Sequence, residues 1–247
     1  MATAPLTALK RAATKATVLC AVAFGFHASP AAALTLNELR IEVRNLALDN
    51  GASLRHSTSA VDSLINEGQR VAAIETKAVE TSTRIVLSAG TTFYSMPTDF
   101  LQIRQVIDVG EDWTLMQELS PEAVAERVGL ESAGHPQYYV MDFALRGDIG
   151  FAPFPGVAAD TTTVDVWYYA QPAELLVSTA VPFNAAVELA PYHYGLAYFA
   201  ASHLALIDGR PDLAIWYERK FFAVIDRMKR EARNRPTYRP QASGLPR

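Results

Sequence analysis

The last third of the chain constrains the fold most. Pro191 to Ile207 reads as a helix rich in Ala, Leu and Tyr, and Asp208-Gly209-Arg210-Pro211 is a turn whose proline is placed to open the next helix. That helix runs to about Arg233, on the order of 35 Å at 1.5 Å per residue. Leu213, Trp216, Tyr217, Phe221, Val224, Ile225 and Met228 fall on one broad face, with Glu218, Arg219, Asp226, Arg227 and Arg230 mostly elsewhere. An aromatic stripe of this kind is packing surface rather than a cofactor box, and it must be covered.

Residues that could cover it lie at the other end of the sequence. Thr35 or Asn37 can cap a helix to about Leu48, with Leu36, Leu39, Val43 and Leu46 near one face and Asn50-Gly51 ending it. Ser57, Thr58 or Ser59 caps a second helix whose apolar stripe is Val61, Leu64, Ile65, Val71 and Ile74. Two short helices with one apolar side each cannot fully satisfy each other. The expected fold is therefore α+β, with an N-terminal helical pair (34–80) and a C-terminal helical hairpin (183–233) forming a bundle, and a β-rich region (81–175) between them.

The middle region is read from its turns. Thr81 to Leu87 is a strand candidate, and Gly90 is expected to reverse it into a hairpin with Thr91 to Met96, which Pro97 ends by withholding an amide. Thr98 or Asp99 then caps a short turn or helix at Phe100 and Leu101, leading into a strand from Ile103 to Val109. Gly110-Glu111-Asp112 turns, Trp113 to Leu119 returns, and Ser120-Pro121-Glu122 starts a short helix to Val128. Tyr138 to Leu145 pairs with Asp148 to Ala152 around Arg146-Gly147-Asp148, and Val164 to Ala170 is a further strand. The Arg-Gly-Asp tripeptide also occurs in integrin ligands, but Gly-Asp between two strands is what a tight turn wants. Pro172 to Ala190 crosses back to the helices, punctuated by Pro182.

Residues 1–33 stand apart. Lys10, Arg11 and Lys15 precede the apolar run Thr17 to Phe26, and Ala31-Ala32-Ala33 follows, in the order of a secretory signal. The run is too short to span a bilayer, so no stable membrane span is expected. The segment is either an export signal or a stretch translated from an upstream start. With 26 acidic and 22 basic residues the chain carries −4; without its leader it has 26 against 19, or −7, and no cysteine, because Cys20 is the only one. Such a body is not built to coat nucleic acid, and it forms no internal disulfide or cysteine-held metal site. The helix end bearing Arg227, Lys229, Arg230, Arg233 and Arg235, with the flexible basic tail 234–247, is either a set of cations at a helix C-terminus or an arm for a partner.

Chemistry is sparse. The phosphate loop, the dinucleotide fingerprint, the Gly-x-Ser-x-Gly elbow and the His-Glu-x-x-His pair are all absent from the sequence. His193 and His203 are ten residues apart, about 80° off a common line on one helix, a poor arrangement for a metal. Asp160 with Asp165, or Asp142 with Asp148, could pair only through tertiary structure. No catalytic, cofactor-binding or metal-binding residue is assigned, and no enzyme activity or cofactor is expected.

Several local patterns occur in an order that resembles a known family. They are Gly90 with Tyr94-Ser95-Met96-Pro97-Thr98-Asp99-Phe100, then Gly134-His135-Pro136-Gln137-Tyr138, then Ile149-Gly150-Phe151-Ala152-Pro153-Phe154-Pro155, then Trp167-Tyr168-Tyr169 with Pro172 and Leu175. From about Leu36 to Arg233 the chain resembles the head-to-tail adaptor, or connector, proteins of tailed bacteriophages. The resemblance implies a structural virion protein that needs no cofactor. It implies a homo-oligomeric ring, commonly of twelve copies, that contacts the portal protein and a downstream tail or nozzle protein. DNA would pass through its channel without sequence-specific binding. Assembly in the host cytoplasm conflicts with an export signal, so the working protein should begin near Leu34. If the leader is real, the alternative is an exported soluble α+β protein, a periplasmic binding or assembly module.

Overall fold

Thr35 opens the first helix by a reciprocal cap: its Oγ1 accepts the Glu38 N–H, and the Glu38 carboxylate accepts the Thr35 N–H. The computed structural model describes residues 33–49, 51, 54–91, 93–110, 113–117, 133–142, 147–156 and 162–234. Helix α1 (Leu36–Ala47) ends on Leu48, whose φ of 56° makes the left-handed turn expected of Asn50-Gly51. Ser57 caps α2 (Thr58–Thr76), which ends on Lys77 at φ 52°. Near the C-terminus a 3-10 segment (Val187–Tyr192) leads into α3 (His193–Ile207), and α4 (Pro211–Asn234) follows the expected turn.

Helix α3 is the hub, with nine of its 15 residues buried and with α1, α2 and α4 all packed against it. Small residues let the neighbours close in. A Cβ on Gly195 would sit 2.8 Å from Val224 of α4, and one on Gly68 of α2 would sit 2.9 Å from Phe199. The core gathers Leu36, Leu39 and Val43 from α1, Val61, Ile65 and Ala72 from α2, Leu196 and Leu204 from α3, and Phe221, Ile225 and Met228 from α4. The two ends of the sequence thus form one bundle, as the apolar stripes require. Two stripe residues depart from expectation: Ile74 and Trp216 are 44% and 49% exposed. On α2 the buried line passes through Gly68, Ala72 and Ala73 instead, because Phe199 fills the space over Gly68.

The β-rich region holds two four-stranded sheets. The first has the order β1 (Glu80–Val86), β10 (Thr163–Ala170), β3 (Phe100–Asp108), β4 (Trp113–Thr114). The second has the order β2 (Phe93–Ser95), β8 (Asp148–Ala152), β7 (Tyr138–Asp142), β5 (Met116–Gln117), and a parallel pair joins β6 (Ala133–Gly134) to β9 (Phe154–Pro155). One cluster draws Ile85, Val106 and Val164 from the first sheet, Leu87 from just beyond β1, and Tyr139, Ile149 and Phe151 from the second sheet.

Three local expectations fail. The Gly90 hairpin does not form: β1 pairs with β10, and β2 pairs with β8 in the other sheet. Strand β10 alternates buried and half-buried residues along its length and offers both edges, which β1 and β3 occupy; Gly90, at φ 77°, sends the chain across with its N–H on the Pro155 carbonyl. Phe100 and Leu101 form no helix, because the Phe100 N–H closes a turn onto the Pro97 carbonyl and β3 starts there. The return strand from Trp113 breaks at buried Leu115, so that β4 runs antiparallel to β3 whereas β5 runs parallel to β7. The pairing of Tyr138 onward with Asp148–Ala152 forms over Tyr138–Asp142, and residues 143–146 lie outside the described residues. The leader before Ala33, the helix from Pro121 to Val128 and the tail from Arg235 onward lie outside the described residues.

Candidate functional site

His193, His203 and Asp165, which the sequence singles out, are each engaged in packing or pairing. His193 is fully buried at the start of α3, where its Nδ1 accepts the Leu34 N–H at 3.1 Å and its ring lies 5.9 Å from that of Phe183. Burial pushes its pKa down to about 4, against a smaller opposing pull from the Leu34 backbone. The imidazole is therefore neutral near pH 7 and acts as a core acceptor. His203 lies on a different side of α3, its ring 4.4 Å from Phe199, so the two histidines do not converge. Asp165 faces Arg84 directly across β10 and β1 in a two-pronged pair at 2.7 and 2.9 Å. Asp148 is in register with Asp142 and follows Gly147 (φ 100°), while Asp160 and residues 143–146, Arg146 among them, lie outside the described residues. Among the described residues no group of three or more His, Cys, Asp or Glu could hold a metal ion.

Polar joints that the sequence reading did not single out do more. Asp49 is 2% exposed in the α1–α2 loop, and burial alone would raise its pKa; the Arg55 and His56 amides and the charge of Arg44 outweigh this and hold it low. Asp208, in the α3–α4 turn, is held low against burial by Arg210, Arg55 and His56. Arg55 reaches Asp208 at 2.7 Å and the Ala47 carbonyl at 2.8 Å, and Arg210 reaches the same two acceptors. This network locks the end of α1 to the hairpin turn. The crossing segment is pinned as firmly. The Asn66 side chain bridges both backbone groups of Leu175, while buried Gln69 donates to the Ala173 carbonyl and accepts the Phe183 N–H. Those bonds hold Phe183, Asn184 and Ala185, three consecutive non-glycine residues at φ 54 to 59°. In the β region, Asp108 is fully buried with its Oδ2 3.3 Å from His135 Nδ1, and Tyr168 donates to Asp99 at 3.0 Å.

What remains unsatisfied is apolar surface on the helices. Toward α1, Tyr194 donates to Glu42, packs edge-on against Tyr198, and Tyr198 in turn meets Trp216 and Tyr217 of α4. Toward α2, an apolar groove with about 160 Å³ of room is lined by Val71, Phe199, His203, Leu206, Ile215 and Phe222. Ile41, Leu206, Ile207, Ile215, Trp216 and Phe222 are each roughly half exposed or more. At the far end of α4, Lys229 pairs with Glu75 at 2.8 Å, whereas Arg227 and Arg230 face solvent.

The described residues thus form a helical bundle from their two ends, a two-sheet middle and an apolar surplus on the bundle. The sequence profile of the SU10 adaptor protein family matches residues 34–244. The chain belongs to the SU10 adaptor family. No curated protein matches it. As a phage adaptor it is a structural component of the virion, one that works with other head and tail proteins. Within the adaptor's described residues, no helix is long and apolar enough to cross a membrane.

Proposed function

We propose that this adaptor is the repeating unit of a ring seated under the phage portal, with its helical bundle packed against neighbouring copies and a central channel through which DNA passes. The apolar surface left on α3 and α4 carries this reading, since a monomeric bundle gains nothing from holding Trp216, Ile215 and Phe222 half in water. The downstream contact is a tail or nozzle protein, and the ring has about twelve copies by likeness to connectors generally. A body at −7 repels phosphate, which suits a conduit that must release DNA rather than retain it. The role needs neither cofactor nor catalysis. The working polypeptide begins near Leu34, whose amide is already bound into the fold by His193.

Negative-stain microscopy of the chain, with and without residues 1–33 and with and without its portal, tests this. Rings, or recruitment to the portal, are expected; a strict monomer that ignores the portal overturns the reading. N-terminal sequencing of the protein from infected cells decides the leader. A cytoplasmic species starting near Leu34 fits the adaptor, and a periplasmic one favours the exported alternative that the signal-like order of residues 1–33 suggests.

A further inference from the structure

Helix α4 has three faces, not two. At 100° per residue, the buried residues Ala214, Tyr217, Phe221, Ile225 and Met228 form one face, turned to the bundle. About 120° to one side run Trp216, Lys220, Ala223 and Arg227, all exposed, with the Lys220 ammonium 5.1 Å from the centre of the Trp216 ring. About 110° to the other side run Ile215, Glu218, Phe222 and Asp226, also exposed; the first three line the apolar groove beside α2, and Asp226 continues the same ribbon one turn on. The first ribbon is aromatic and cationic, the second apolar and anionic. Arg219 and Arg230 lie between them. None of Lys220, Arg227, Glu218 and Asp226 has an ion-pair partner among the described residues.

We infer that the occupant of the groove is a second copy of this chain, presenting its Trp216 ribbon to the Ile215–Phe222 ribbon of the first, an inference that rests on the ring reading above and names its contact. The charges select this pairing. A symmetric contact between two Trp216 ribbons would set Lys220 and Arg227 against their own copies, and a symmetric contact between two grooves would oppose Glu218 and Asp226. Only the unlike pairing matches charge with counter-charge while covering Trp216, Ile215 and Phe222 together. Because the two ribbons point to different sides of one helix, each copy that binds through one leaves the other free. The contact therefore propagates from copy to copy, and it closes when the rotation between copies divides a full turn. Trp216 is the anchor, a large aromatic half exposed beside a cation, opposite a groove floored by Phe199 and Phe221.

Charge reversal in the full-length chain tests this, read by sedimentation velocity and negative-stain microscopy, alone and with the portal. Lys220→Glu with Arg227→Glu, or Glu218→Lys with Asp226→Lys, should each raise the concentration needed for assembly by on the order of tenfold or more. All four positions are exposed, so each variant should keep the native thermal transition. An equal mixture of the two variants should assemble again, because the reversed ribbon of one matches the reversed ribbon of the other and their native ribbons still match. High salt should weaken assembly of the native chain in the same direction. Native assembly that both reversals leave intact, or that the mixture fails to restore, overturns the inference and leaves the ring standing. A native chain that assembles under no condition overturns the ring itself.

Discussion

The bundle and the β-rich region solve the burial problem in opposite ways. In the bundle, four helices of regular period bury one continuous core and still leave large aromatic and aliphatic side chains half exposed. In the β region, eight short strands in two described sheets enclose a smaller core, and polar pairs such as Asp108 with His135 and Asp99 with Tyr168 tie the segments together. Among the described residues the larger apolar surplus is on the bundle, where Ile41, Leu206, Ile207, Ile215, Trp216 and Phe222 are roughly half exposed or more, while the sheet region leaves Val86, Phe93 and Val109 out. A subunit that assembles through its helices and spaces itself with its sheets would be divided in this way.

The two regions are not independent, and the strongest test of the contrast is to damage one and watch the other. Tyr168 and Ala170 at the end of β10 belong to the helical core, and Met96 packs against both clusters. Phe221→Ala empties a site that is 2% exposed and should cost about 3 to 5 kcal/mol in urea unfolding. Helix and sheet signals should fall in one transition; two separated transitions would mean that the shared residues do not couple the regions. His193 gives a smaller effect with a defined pH window. Its folded pKa of about 4 lies below the unfolded value near 6.5, so its contribution is complete above about pH 6.5 and is lost as pH falls toward about 4. Between about pH 7.5 and about pH 5 the chain should lose about 2 kcal/mol, and His193→Gln should flatten that slope. A slope unchanged in the variant would place the acid sensitivity elsewhere. The smallest effect belongs to the sheet surface, where Arg84→Ala breaks an exposed cross-strand pair with Asp165 and should leave the thermal transition where it was. A clear shift would show that the sheets depend on surface charge in a way the bundle does not.

The same contrast explains what the sequence could reveal. Helices are local, so Thr35 or Asn37, the Ser57–Ser59 cluster and Pro211 announced their starts, and the 3.6-residue stripes announced most of the buried sides, Ile74 and Trp216 excepted. Strand partners are not local. Nothing in Thr81 to Leu87 says that it will bind residues 163–169 rather than its neighbour across Gly90, and that choice is made by β10 having two free edges. Gln69 and Asn66 were missed because a polar residue beside an apolar stripe reads as the start of the wet face; only the crossing segment lying over α2 gives them buried partners. The motifs behind the family resemblance turn out to mark the joints of the β region. Asp99 meets Tyr168, His135 meets Asp108, and the Ala133-Gly134 and Phe154-Pro155 strands pair.

The bundle's composition from both ends of the chain also dictates the order in which the molecule can be made. Helices α1 and α2 leave the ribosome first, but α3, the hub they pack on, follows only after both sheets have been synthesised. At typical translation rates that interval is on the order of ten seconds. Throughout it, Leu36, Leu39, Val61 and Ile65 lack the cover that α3 gives them in the folded chain, and the newborn front half carries that apolar surface until the C-terminal hairpin emerges.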